Sequence, residues 1–75
     1  MTTLTINTAH ITLVQAVKMA GLAESGGQAK HLIRERGVLV NDAIETQPGR
    51  KLVPGDRFRA TEGEGWTISQ SGLGS

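Results

Sequence analysis

In the stretch "SGGQAKHLIRER", Ser25 to Arg36, a serine and two adjacent glycines precede a run that carries Lys30, His31, Arg34 and Arg36. Ser25, with Gln28 three residues on, has the spacing of a capping box and so the signature of a helix start. Ala29, Leu32 and Ile33 then recur on one side, and Gly37 supplies a stop. Residues four apart share a helix face, so Gly26, Lys30 and Arg34 form a column beside the apolar stripe. The column begins where backbone N–H groups lack partners within the helix and the dipole is positive, which are the conditions for holding an anion. Glycine lowers helix propensity by about 1 kcal/mol relative to alanine in an interior and by less in a first turn, yet it lets a phosphate reach the backbone. Two readings of the pair are open. Gly26 and Gly27 form a phosphate seat that Lys30 and Arg34 extend, or they permit close packing against a neighbouring helix while the cations are merely solvated.

A second cationic group follows in "GRK", Gly49 to Lys51, read as part of a loop between strands, with Arg57 and Arg59 on the strand beyond it. Arg57 and Arg59 are two apart and share a sheet face, with Phe58 on the other. If Phe58 is core, both arginines point outward.

These groups need elements to position them. "TLTI", Thr3 to Ile6, alternates as a short strand does. In "HITLVQAVKMAGL", Thr12 and Gln15 form a capping box, Ile11 and Ala16 a hydrophobic staple, and Gly21 a left-handed stop, which predicts a first helix from about Leu13 to Ala20. After Gly37, "VLV" and "AIET" are β-rich runs on either side of Asn41 and Asp42, both tolerant of positive φ, so a tight hairpin is expected. "VPGD" reads as a turn centred on Pro54 and Gly55 that feeds the strand "RFRAT". Gly63 and Gly65 bracket a turn before a last strand, "WTIS". The low-complexity ending "SQSGLGS" reads as frayed, with one domain over 1–70 and a flexible tail over 71–75. The order, a helix pair and then a small antiparallel sheet, is that of an α+β fold.

Seventy-five residues leave room for one domain, and a chain this short buries only about 60% of its unfolded surface. The absence of cysteine excludes disulfides and thiolate ligands, and two isolated histidines do not make a zinc site. No metal and no cofactor is expected, and no Ser, His and acid arrangement suggests a nucleophile. "MTTLTINTAH" lacks the basic start and apolar run of a secretory signal, and no stretch approaches the roughly 20 apolar residues of a membrane span. A cytoplasmic protein is expected. The net charge of +1 hides an arrangement: all eight Lys and Arg and five of the seven acids lie between Lys18 and Arg59, a mildly basic middle that suits a polyanionic partner. His31 reads as a surface side chain, His10 has no visible partner, and Trp66, one of two aromatics, is expected in the core rather than against a base.

The ordered set Ser25-Gly26-Gly27-Gln28-Ala29-Lys30, Leu32-Ile33, Gly37-Val38 with Val40, and Lys51-Leu52 to Gly55-Asp56 resembles the ribosomal-protein-S-four-type RNA-binding domain, the αL RNA-binding motif. It is most similar there to the small stand-alone bacterial proteins. With "LVQAVKMAGL" the resemblance covers about Leu13 to Phe58. It implies a helix pair packed on a small twisted sheet, with structured RNA bound along the second helix and the adjacent loop. Carried over, Ser25, Gly26, Gly27, Gln28 and Lys30 take the phosphate-binding helix start, Arg34 extends it, and Arg50 and Lys51 stand on the loop. Two positions depart from the pattern: Asn41-Asp42-Ala43 stands where the family usually has a glycine, and "QPGRK" is less basic than in many relatives.

The expectation is therefore a monomeric, non-enzymatic module that holds the backbone and shape of structured, ribosomal RNA through amides and Lys or Arg, with little base readout. A protein-interaction adaptor using the same face for an acidic partner is the alternative.

Overall fold

The computed structural model describes residues 2–61 and 63–71. Its elements in chain order are β1 (Thr2–Ile6), β2 (Ile11–Thr12), α1 (Leu13–Met19), α2 (Gly26–Arg36), β3 (Val38–Val40), β4 (Ala43–Glu45), β5 (Lys51–Leu52), β6 (Arg57–Ala60) and β7 (Gly65–Gln70).

Both helices start where the cap residues predict. Thr12 and Gln15 form the reciprocal capping box of α1, the Gln15 amide donating to Thr12 Oγ1 (3.4 Å) and the Thr12 amide to Gln15 Oε1 (3.0 Å). The end of α1 is a Schellman motif: Gly21, at φ 78°, donates to the Lys18 carbonyl and Leu22 to that of Val17. At α2 the Ser25 hydroxyl accepts from the Gln28 amide (3.2 Å), but the Gln28 side chain reaches one residue further back than a capping box requires and accepts from Glu24 N–H (2.8 Å). Gly37 ends α2 at φ 77°, where an added Cβ would lie 2.9 Å from Ile44 Cγ2, so this glycine is required twice over.

The α+β class holds, with one refinement. The five-stranded sheet, ordered β1-β7-β6-β3-β4, is antiparallel except at β1 and β7, which run parallel from Thr2 opposite Trp66 to Ile6 opposite Gln70. A parallel pair needs a long connection, and here everything between the first and last strands supplies it. A separate two-stranded ladder joins β2 to β5, pairing Ile11 with Leu52 and Thr12 with Lys51, so Lys51 lies on a strand rather than on the loop. The ending is also more ordered than its composition suggests. Ser69 and Gln70 belong to β7 and the Ser71 amide donates to the Ile6 carbonyl (2.7 Å), while residues 72–75 of the expected tail lie outside the described residues.

One sheet face carries the core. Val38, Val40, Phe58, Ile68, Leu4 and Ile6 meet the apolar stripes of the helices, Leu13, Ala16 and Val17 from α1 and Ala29 and Ile33 from α2. Trp66 is half-buried and stacks on Phe58 at a centroid distance of 6.5 Å, which places it at the core's edge. The hairpin forms without glycine because Asn41 (φ 50°) and Asp42 (φ 71°) both accept the left-handed conformation that its turn demands.

Replacing Thr12 or Ser25 with alanine removes a cap acceptor and should lower stability by about 0.5 to 2 kcal/mol in urea denaturation. An unchanged midpoint at both positions would refute these helix starts.

Candidate nucleic-acid interface

The two helices begin differently. At α1, the Leu13 amide donates to the Arg50 carbonyl (2.7 Å), the Val14 amide to that of Pro48 (3.0 Å) and the Gln15 amide to Thr12 Oγ1. The protein itself thus occupies the first three donors of that helix. At α2 only the third donor, Gln28 N–H, is taken, and the amides of Gly26 and Gly27 have no acceptor among the described residues. Two outward N–H groups at the positive end of an 11-residue helix are a place for an anion.

The glycines have no packing role there. A Cβ at Gly26 would meet nothing within 4 Å, and one at Gly27 only the Ser25 hydroxyl oxygen at 3.9 Å. Neither has positive φ. Close packing of α1 against them is therefore excluded as their reason, and what their lack of a side chain leaves is open approach to the backbone.

Lys30 and Arg34 follow on the same side of α2, exposed and without an ion-pair partner among the described residues. From Gly26 to Arg34 the column is about 12 Å long at 1.5 Å per residue. The loop group sits at the other end of the helix. Gly37 abuts β4 through Ile44 and Glu45, and Glu45 Oε1 accepts from the Arg50 guanidinium at 2.8 Å. The structure therefore separates the eight expected residues into two groups. Ser25, Gly26, Gly27, Gln28 and Lys30 gather at the start of α2, Arg50 and Lys51 lie beyond its far end, and Arg34 stands between.

Arg50 is not a free cation. Its hydrogen bond to Glu45 holds that carboxyl below its ordinary pKa against the opposing effect of burial, and the amides of Gln47 and Thr46, each 3.2 Å from Glu45 Oε2, add to the lowering. Glu45 thus orders the loop and orients Arg50. Sequence reasoning missed this anchor, since an acid five residues from an arginine across an irregular loop carries no periodic signal. Lys51 is exposed and has no partner among the described residues. Among those residues no three His, Asp or Glu side chains gather as a metal site, and no helix is long and apolar enough to cross a membrane.

The S4 domain model matches residues 4–68, most of the chain. The chain belongs to the S4-domain family. Among its relatives is the "Probable ribosome maturation protein RlbA" of Bacillus subtilis, 47% identical over 53 residues, which cover 71% of this chain and 75% of that protein. The "Putative RNA-binding protein YbcJ" of Escherichia coli is 44% identical over 46 residues, 61% of this chain and 66% of the relative. The tyrosine–tRNA ligase of Ruegeria pomeroyi is 43% identical over 56 residues, which span 72% of this S4 domain but 14% of the ligase.

Two outcomes follow. Gly26→Ala should leave the fold intact and raise stability by up to about 1 kcal/mol, since the methyl group meets no atom and alanine is the better helix former; destabilisation in a thermal melt would mean that the glycine is structural after all. For the Glu45–Arg50 pair the sign is that of a depressed acid. Its stabilising effect is present above the ordinary value of 4.5 and is lost as pH falls through the lowered folded value. The stability difference between wild type and Glu45→Gln should therefore be largest near neutrality and vanish in acid, and a pH-independent difference would contradict the pairing.

Proposed function

We propose that this S4 domain is a non-enzymatic RNA-binding module that holds the phosphate backbone of structured, ribosomal RNA, acting as a monomer in the cytoplasm. The observation that carries the reading is the open start of α2, where among the described residues two amides under glycines that no packing explains lack an acceptor and the column of cations leading away lacks an ion-pair partner. A phosphate at the helix start accepts from Gly26 and Gly27 N–H, Ser25 and Gln28 hold the turn that presents them, and Lys30 and Arg34 take the phosphates that follow. Lys51 adds a contact at the far end, and Arg50 does so only in competition with Glu45. Recognition by amides and cations reads position and shape more than base sequence, which suits folded RNA. The ribosomal assignment is supported by the name of the Bacillus subtilis relative, and the non-enzymatic one by the small share of the ligase that this chain matches.

The test is the salt dependence of binding to purified ribosomal RNA. Lys30→Ala with Arg34→Ala should flatten the slope of log affinity against log salt by about 1.5, given roughly 0.7 to 0.9 counterions released per phosphate contact. Gly26→Asp, which puts a carboxylate in the phosphate's place, should fold and lose affinity. Wild-type slopes in the double variant, or full affinity in Gly26→Asp, would reject the site; a chain that captures an acidic protein and no RNA would reject the function.

A further inference from the structure

The sheet has a second face, turned away from the helices. Its residues follow from the strand register: Ile44, Leu39, Arg59 and Gly65 lie in one row across β4, β3, β6 and β7, and Arg57, Thr67 and Thr3 in the next, with Thr5 and Ser69 beyond. Phe58 and Trp66 point the other way, into and along the core. None of the strand residues on this open face is acidic, and two are arginines. Arg57 and Arg59 are both exposed. The nearest carboxylate, on Asp42 in the hairpin turn, is 3.8 Å from Arg57 and itself largely exposed, while Arg59 has no ion-pair partner among the described residues. Gly65, the partner of Arg59 on β7, leaves a shallow cleft beside it bounded by Leu39, Asn41 and Asp42.

Charges on a sheet often guard an exposed edge, but β6 is the central strand of five and has no free edge to guard. What the strands of this face offer is two arginines rooted about 7 Å apart along one strand, hydroxyl side chains in the neighbouring strands, the exposed Ile44 at one edge and no aromatic ring. That chemistry suits phosphates and not stacked bases.

We infer that this open face is a second RNA-backbone contact, so that the domain is wedged between two segments of one folded RNA, with Arg57 and Arg59 on one segment and the α2 column on the other. The inference rests on the RNA-binding reading above and adds a surface to it. The core separates the two faces and the molecule is 18 Å through its thinnest axis, so a single short run of backbone does not lie on both.

The experiment measures binding of the full chain to purified ribosomal RNA across a salt series for wild type, Arg57→Gln with Arg59→Gln, and Lys18→Gln with Arg36→Gln, which removes the same charge from neither proposed contact. Circular dichroism confirms that each variant is folded. The Arg57/Arg59 variant should bind about two- to fivefold more weakly per arginine, the range of an exposed ion pair, and flatten the slope by roughly 1.5. Arg57→Lys with Arg59→Lys should restore the slope, and the Lys18/Arg36 variant should keep it. A wild-type slope in the Arg57/Arg59 variant, or equal flattening in the Lys18/Arg36 variant, overturns the second contact. If Lys30→Ala with Arg34→Ala still flattens the slope in that case, the RNA-binding reading survives; if wild type itself binds ribosomal RNA without salt dependence, both fall.

Discussion

The first turn of α1 has backbone donors that must find acceptors, and the chain supplies them from 35 or so residues downstream. The carbonyls of Arg50 and Pro48 take the Leu13 and Val14 amides, and on either side of that contact Leu13 and Leu52 are fully buried. An unpaired buried amide costs about as much as a lost hydrogen bond, so the loop cannot leave this position without a penalty of roughly 1 to 3 kcal/mol. The β2–β5 ladder, which places Lys51 opposite Thr12, continues this contact. The helices differ in this respect: the first three donors of α1 are occupied, whereas the amides of Gly26 and Gly27 at α2 have no acceptor among the described residues.

Charge is distributed with the same economy. Arg50 is held by Glu45 and Arg57 stands near Asp42, whereas Lys30, Arg34, Lys51 and Arg59 have no carboxylate partner among the described residues. An exposed ion pair contributes little, about 0 to 1 kcal/mol, so leaving these cations unpaired costs the fold almost nothing. Their charge stays available to the polyanion of the proposed function, where counterion release would favour association. A net charge of +1 is thus compatible with these unpaired cations, since among the described acids Glu45, Asp42 and Asp56 make contacts of their own.

Asn41 ties the β3–β4 turn to the chain that enters β6. Its backbone accepts the positive φ, its side chain donates to Asp56 Oδ1 (3.2 Å), and its Oδ1 accepts from Arg57 N–H (3.0 Å). Asp56 in turn takes Val53 N–H at 2.9 Å, closing the turn before β6. This clamp joins the β3–β4 turn to the turn before β6, while the burial of Phe58 sets which way Arg57 and Arg59 face.

Local chemistry made much of this legible in the sequence. Caps and stops are contacts between near neighbours, so Thr12, Gln15, Gly21, Ser25 and Gly37 mark the helices in one dimension, and Asn41-Asp42 and Pro54-Gly55 mark the turns for the same reason. The outward direction of Arg57 and Arg59 followed once Phe58 was placed in the core, because strand side chains alternate. What the sequence left open was everything that joins distant segments: the parallel pairing of β1 with β7, the β2–β5 ladder, the hold of Glu45 on Arg50, and whether Gly26 and Gly27 faced a helix or open space. Each depends on which surfaces meet after collapse, and no spacing rule carries that information. The identity of the residues at the start of α2 was written in the chain, but that no acceptor among the described residues takes the amides of Gly26 and Gly27 was decided by which segments meet in the folded protein.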